Sequence, residues 1–127
     1  MTLGKLEHVN LTVSDPDRTA KMLEDVFGWT VRWKGPSLGG GYTVHVGTED
    51  DYVALYANPK SEAREGDSFT LVGAVNHLGV LVDDLSVLEA RVKQAGLTPV
   101  NHQTYEPGSR FYFFDQDKIE YEVVSYA

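Results

Sequence analysis

Between Leu6 and Val13 apolar and polar residues alternate, with Val9, Leu11 and Val13 on one face of an extended chain and His8, Asn10 and Thr12 on the other. The spacing predicts a half-buried strand with a polar face. After Ser14, Asp15 and Pro16, which suit a helix N-terminus, the period changes. Ala20, Leu23 and Val26 recur at helical spacing until Gly28 stops the helix. Strands are predicted around Trp29 to Trp33, Tyr42 to Val46 and Tyr52 to Tyr56, with the glycine-rich GPSLGGG between the first two.

The pattern then starts again. In VNHLGVLVDD, Leu78, Val80 and Val82 alternate against His77, Gly79 and Leu81. Leu85, Leu88, Val92 and Ala95 follow at helical spacing until Gly96, and strands are predicted around Thr98 to His102, Arg110 to Phe114 and Ile119 to Val124. HVNLTVSD and HLGVLVDD share a histidine, aliphatic residues and a closing aspartate at matching places, so the chain carries an internal repeat of about 68 residues. The fold class is therefore α+β, with two βαβββ modules related by a pseudo-twofold. Module 1 covers about residues 4–57 and module 2 about 74–127, joined by a polar linker over about 58–73.

Composition narrows the chemistry. The 127 residues suit one domain. No apolar run approaches the roughly 20 residues that span a bilayer, and no secretory leader is visible, which predicts a cytoplasmic protein with no membrane partner. A net charge of −8 without a basic stripe opposes nucleic acid. Cysteine is absent, so any metal must be held by His, Asp or Glu. The glycine cluster lacks the spacing of a nucleotide loop and opens onto a strand.

His8 and His77 stand at equivalent places of the repeats, each on the polar face, so symmetric packing of the modules would bring the two imidazoles together. Two imidazoles are an incomplete site. In KIEYEVVSY, Ile119, Tyr121 and Val123 share one face and Glu120 and Glu122 the other, and either carboxylate could complete it. By the repeat offset Glu122 corresponds to Ala54, which cannot ligate. Two histidines and one carboxylate leave positions open on a divalent ion, an arrangement associated with Fe(II) and compatible with Mn, Ni or Zn. Such an ion suits a small substrate offering two adjacent oxygens. Asn10, Ala54, Tyr56, Arg110 and Glu120 are the expected substrate-lining positions, and the Tyr112 hydroxyl is a candidate proton donor. His45 and His102 lack repeat partners and read as structural or surface residues.

The repeated βαβββ pattern, the two histidine-led strands and the closing FYFFDQDKIEYEVV resemble the vicinal oxygen chelate superfamily over essentially the whole chain. That superfamily includes glyoxalase I, fosfomycin-resistance enzymes, bleomycin-resistance proteins and extradiol dioxygenases. The resemblance implies paired modules forming one curved mixed sheet around a cavity, with a divalent metal held by His8, His77 and Glu122 and with Ala54 at a position that is often glutamate. Its ungapped register favours Glu122 over Glu120. Asp115, Gln116, Asp117 and Lys118 stand where the family commonly has a DPDG turn, and Tyr112 matches a tyrosine found in extradiol and fosfomycin-resistance enzymes. Two-module chains of this kind usually pair, which implies a homodimer. The expected function is a glyoxalase-like metal-dependent lyase or isomerase. Ala54 and Tyr112 lean toward an extradiol-type dioxygenase using Fe(II) or Mn(II), while the short chain leans away from it. The alternative of another class is a metal-free binding protein resembling bleomycin-resistance proteins, which the acidic charge suits and the intact ligand triad opposes.

Overall fold

The computed structural model describes residues 2–127, and its elements fall into two units, one ending at Glu62 and the other covering Ala63–Ala127. The boundary lies inside the stretch read as a linker. Unit 1 runs β1 (His8–Thr12), α1 (Pro16–Phe27), β2 (Thr30–Pro36), β3 (Tyr42–Gly47) and β4 (Tyr52–Ala57). Its sheet has the order β1-β4-β3-β2, in which β1 and β4 are parallel and the other pairs antiparallel.

Local chemistry sets these boundaries. The Asp15 carboxylate accepts from the Arg18 amide at 3.2 Å, Pro16 occupies the first turn of α1, and Gly28 closes the helix at φ +72° while its amide donates to the Glu24 carbonyl at 2.9 Å. The buried stripe Ala20, Leu23 and Val26 packs on the face of the sheet that carries Leu11, Val44, Val46, Val53 and Leu55. Each such aliphatic side chain contributes about 1.5–3 kcal/mol on full burial. The opposite face is left to His8, Asn10, Thr12, His45, Tyr52, Ala54 and Tyr56.

Unit 2 repeats the plan with β5 (Leu78–Leu81), α2 (Leu85–Gln94), β6 (Val100–Tyr105), β7 (Gly108–Phe114) and β8 (Glu120–Ser125), in the sheet order β5-β8-β7-β6. Asp84 caps α2 by accepting from the Ser86 and Val87 amides. Leu88 and Val92 of α2 pack toward Phe111, Phe113, Tyr121 and Val123, all 1% exposed or less. The two βαβββ modules of an α+β fold are thus present, each as a four-stranded mixed sheet with one helix. No helix among the described residues is long and apolar enough to cross a membrane.

The elements differ from the sequence expectation mainly at edges. β6 begins at Val100 and runs to Tyr105, whereas the apolar pattern placed it around Thr98 to His102. It is the edge strand, exposed from Asn101 onward, with a register break between Val100 and Gln103 and Asn101 at φ +54°. Without a buried face it has no alternation to read. His77 lies one residue ahead of β5 rather than within it.

Candidate functional site

In unit 2 the strand ladder aligns Gly79, Glu122 and Tyr112 across β5, β8 and β7. Because Tyr121 and Val123 are committed to the helix-facing core, Glu122 must point to the other face, and His77 arrives there from the start of β5. His77 Nε2 and Glu122 Oε1 stand 2.9 Å apart, and Arg110 Nη1 donates to Glu122 Oε2 at 2.8 Å. The Arg110 and Glu122 side chains are 11% and 12% exposed, so this pair is shielded from water. The Arg110 guanidinium also lies 4.4 Å over the Tyr105 ring, and its Nε is buried without a hydrogen-bond partner. The Tyr112 ring meets His77 edge-on at 5.9 Å. Burial first, and the Glu122 charge second, push the Tyr112 hydroxyl above its ordinary range, so it keeps its proton through neutral pH. Glu120 is buried beside them and burial pushes its carboxyl up, but it is Glu122 that contacts His77.

Unit 1 places His8 at the start of β1, opposite Tyr52 in the parallel ladder. Tyr52 lies between two imidazoles, stacked on His8 at 4.9 Å and on His45 at 4.6 Å, with Trp33 next to His45 at 5.2 Å and the Arg32 guanidinium over the Tyr52 ring. Ala54, 2% exposed, pairs with Asn10 on one side and His45 on the other. His45 therefore does have a counterpart in the repeat. It lies opposite Ala54 as Tyr112 lies opposite Glu122. The one-residue longer turn before β8 hides this from a simple offset. Burial, then the His8 and Arg32 charges, push the His45 imidazole down, which keeps it neutral.

Other expected positions are used differently. The Tyr56 hydroxyl donates to the Leu38 carbonyl at 2.9 Å and accepts from Asn58 Nδ2 at 2.7 Å, which pins the glycine-rich turn, and a Cβ at Gly41 would run into the Tyr56 ring. Asn10 is exposed on β1. His102 stacks on Phe111 and bonds Glu89 of α2 at 2.5 Å, tying β6 to the helix. An open hollow of about 570 Å³ in unit 1, lined in part by Trp29, Arg32, Thr48 and Glu49, contains none of the expected site residues. Within neither unit, among the described residues, do three His, Asp or Glu side chains form a group able to hold an ion; unit 2 brings two together.

Sequence reading missed the residues just ahead of the two histidines. Glu7 Oε1 lies 2.8 Å from His8 Nδ1, and Asn76 Oδ1 lies 2.8 Å from His77 Nδ1. The His8 hydrogen bond is the main reason the Glu7 carboxyl is held below its ordinary range. The signal was present, since each repeat has an oxygen-bearing side chain directly before its histidine.

The profile of the Glyoxalase/Bleomycin resistance protein/Dioxygenase superfamily matches residues 5–123. No curated protein sequence matches the chain. Among solved structures, a glyoxylase/bleomycin resistance protein/dioxygenase domain from Frankia sp. EAN1pec is 23% identical, with 98% of each chain covered and a TM-score of 0.82. The fosfomycin resistance protein FosX from Mesorhizobium loti is 23% identical over 96% of this chain and 91% of its own, with a TM-score of 0.74. FosX from Listeria monocytogenes, solved with Mn(II) and sulfate ion, is 16% identical over 98% of this chain and 93% of its own, with a TM-score of 0.73. At these identities the likeness is one of fold.

Proposed function

Because the chain belongs to the Glyoxalase/Bleomycin resistance protein/Dioxygenase superfamily, we propose that it is a glyoxalase-like metal-dependent lyase or isomerase acting on a small substrate with two adjacent oxygens. His8, His77 and Glu122 are the proposed ligands of one divalent ion, and a homodimer is the proposed assembly. The observation that carries this reading is the 2.9 Å between His77 Nε2 and Glu122 Oε1. Two donors each about 2.1 Å from one ion, at a right angle around it, stand about 3.0 Å apart. The donor atoms in unit 2 fit that spacing. The Mn(II) bound by the Listeria FosX supports a divalent ion in this fold.

When bound, the ion would supply Lewis-acid stabilisation of negative charge developing on substrate oxygen. The chain's own residues divide the remaining work. Tyr112, neutral and beside Glu122, holds a proton at its hydroxyl for donation to a substrate oxygen. Arg110 fixes Glu122 Oε2. Ala54 leaves the module 1 counterpart of Glu122 without a carboxylate, which favours a three-ligand set.

The test is metal analysis of protein purified without added metal, followed by titration with Mn(II), Fe(II), Ni(II) and Zn(II). Binding of about one ion per chain by the wild type, lost in His77→Ala and Glu122→Ala, is expected. No tight binding of any of the four by the wild type would overturn the reading in favour of a metal-free binding protein. Ala54 and Tyr112, each taken by itself, favour an extradiol-type dioxygenase as the second reading. Oxygen uptake with catechols, set against turnover of a 2-oxoaldehyde hemithioacetal, separates the two.

A further inference from the structure

The side chain ahead of each histidine takes its outward nitrogen. A carboxylate oxygen only accepts hydrogen bonds, so at 2.8 Å from Glu7 Oε1 it is His8 Nδ1 that carries the proton. His77 differs, because its Nε2 faces the Glu122 carboxylate at 2.9 Å while its Nδ1 faces Asn76 at 2.8 Å, so the same rule puts a proton on Nε2 there. An imidazole with its proton on Nδ1 carries its lone pair on Nε2, the atom that His8 is then free to offer an ion. In unit 1 the Tyr52 ring stacks on His8 at an interplanar angle of 13°, and its hydroxyl donates to the same Glu7 oxygen at 3.4 Å. Ring plane and acceptor are thus both held from β4.

We propose that Glu7 is a positioning residue that fixes His8 as its Nδ1–H tautomer and so selects Nε2 as the donor atom. Its purpose rests on the metal-centre reading of the preceding subsection, but the tautomer itself does not. Glu7 also adds a negative charge behind His8. The His8 side chain is 42% exposed, so water competes for Nδ1 when the acceptor is removed. The effect on metal affinity therefore lies at the low end of the roughly 10–100-fold cost of losing an outer partner.

The first test uses metal-free protein labelled with ¹⁵N-histidine. Two-bond ¹H–¹⁵N correlation spectra assign the tautomer of each ring at about pH 8, where an unperturbed imidazole is neutral. Wild-type His8 is expected as Nδ1–H. Glu7→Ala should move His8 toward the Nε2–H form, while Glu7→Gln should keep it as in the wild type. A chelator-competition titration with Mn(II) should show about tenfold weaker binding for Glu7→Ala and binding within about threefold of wild type for Glu7→Gln. A wild-type His8 in the Nε2–H form, or a Glu7→Ala variant with an unchanged tautomer, would overturn the proposal. A tautomer that shifts as expected in a protein that binds no metal would sink the metal centre and leave the positioning role standing.

Discussion

Asp115 begins the turn between β7 and β8 and is 6% exposed. Its Oδ1 accepts from the Asp117 amide at 2.8 Å and the Ile119 amide at 3.0 Å, and its Oδ2 accepts from the Tyr121 hydroxyl at 2.9 Å. Burial is the largest influence and pushes the carboxyl above its ordinary range in spite of these three bonds. Replacement by alanine removes an acceptor from a tyrosine hydroxyl inside the core, at about 1–3 kcal/mol, and from two turn amides that water can partly serve, at about 1 kcal/mol each. The expected loss is together about 3–5 kcal/mol. Asparagine keeps Oδ1 for both amides, and its Nδ2 can donate to a Tyr121 hydroxyl turned to accept, so Asp115→Asn should lie within about 1 kcal/mol of wild type at neutral pH. The sign of the pH dependence follows from the raised pKa. The protonated form is favoured by folding, so its contribution is complete below the unfolded carboxylate pKa of about 3.9 and is lost as pH rises through the higher folded value. Relative to Asp115→Asn, the wild type should therefore lose stability as pH is raised from about 4 to about 7. Urea unfolding followed by far-UV circular dichroism at three pH values reads both effects. An asparagine variant as unstable as alanine at neutral pH, or a wild-type minus asparagine difference that is flat or rises with pH, would refute the reasoning.

Lys118 holds φ +63° in the same turn, a conformation costing a side chain about 1–2 kcal/mol. Lys118→Gly removes that cost but loses about 0.5–1 kcal/mol of chain entropy, so a net gain of about 0.5–1 kcal/mol in urea unfolding is expected and a loss would contradict it. Arg110→Met leaves the shielded Glu122 carboxylate with His77 alone. Breaking such a pair costs about 3–5 kcal/mol, and the surviving partner should hold the loss to about 2–4, with Arg110→Lys recovering part; a loss under about 1 kcal/mol would show the pair to be unimportant. On the proposed enzyme reading, Tyr112→Phe should bind Mn(II) as the wild type does but turn over about 10²–10⁴-fold more slowly, and unchanged turnover would remove Tyr112 from the chemistry.

What the chain reveals before folding is whatever burial writes into its periodicity. The histidine-led strands, the capped helices and the alternation in FYFF and IEYEV were legible because one face of each element is buried, and alternation then assigns Arg110, Tyr112, Glu120 and Glu122 to the other face without knowledge of any contact. β6 was misplaced because an exposed edge strand with a positive-φ asparagine carries no such writing. The counterpart of His45 was hidden for a different reason. Pairing register depends on turn length, and the residues between β7 and β8 outnumber those between β3 and β4 by one, so a single offset cannot align both the ligand strand and the strand beside it. Periodicity was silent, too, on which polar atoms meet. It put Tyr56 on the open face, whereas the fold spends its hydroxyl on the Leu38 turn, and it put Glu120 and Glu122 side by side, where the His77 contact falls on Glu122. The residues that escaped notice, Glu7 and Asn76, sit next to the most conspicuous ones. Adjacent residues on a strand normally point to opposite faces, so a strand-based reading discards the neighbour of a ligand. Each histidine here stands at or just ahead of the first residue of its strand, where alternation has not yet taken hold and the preceding side chain can reach back to the ring. Strand starts bearing a histidine are therefore the places where i−1 partners should be sought, and a Glu7→Gln protein that keeps its His8 tautomer while Glu7→Ala loses it is the result that this geometry demands.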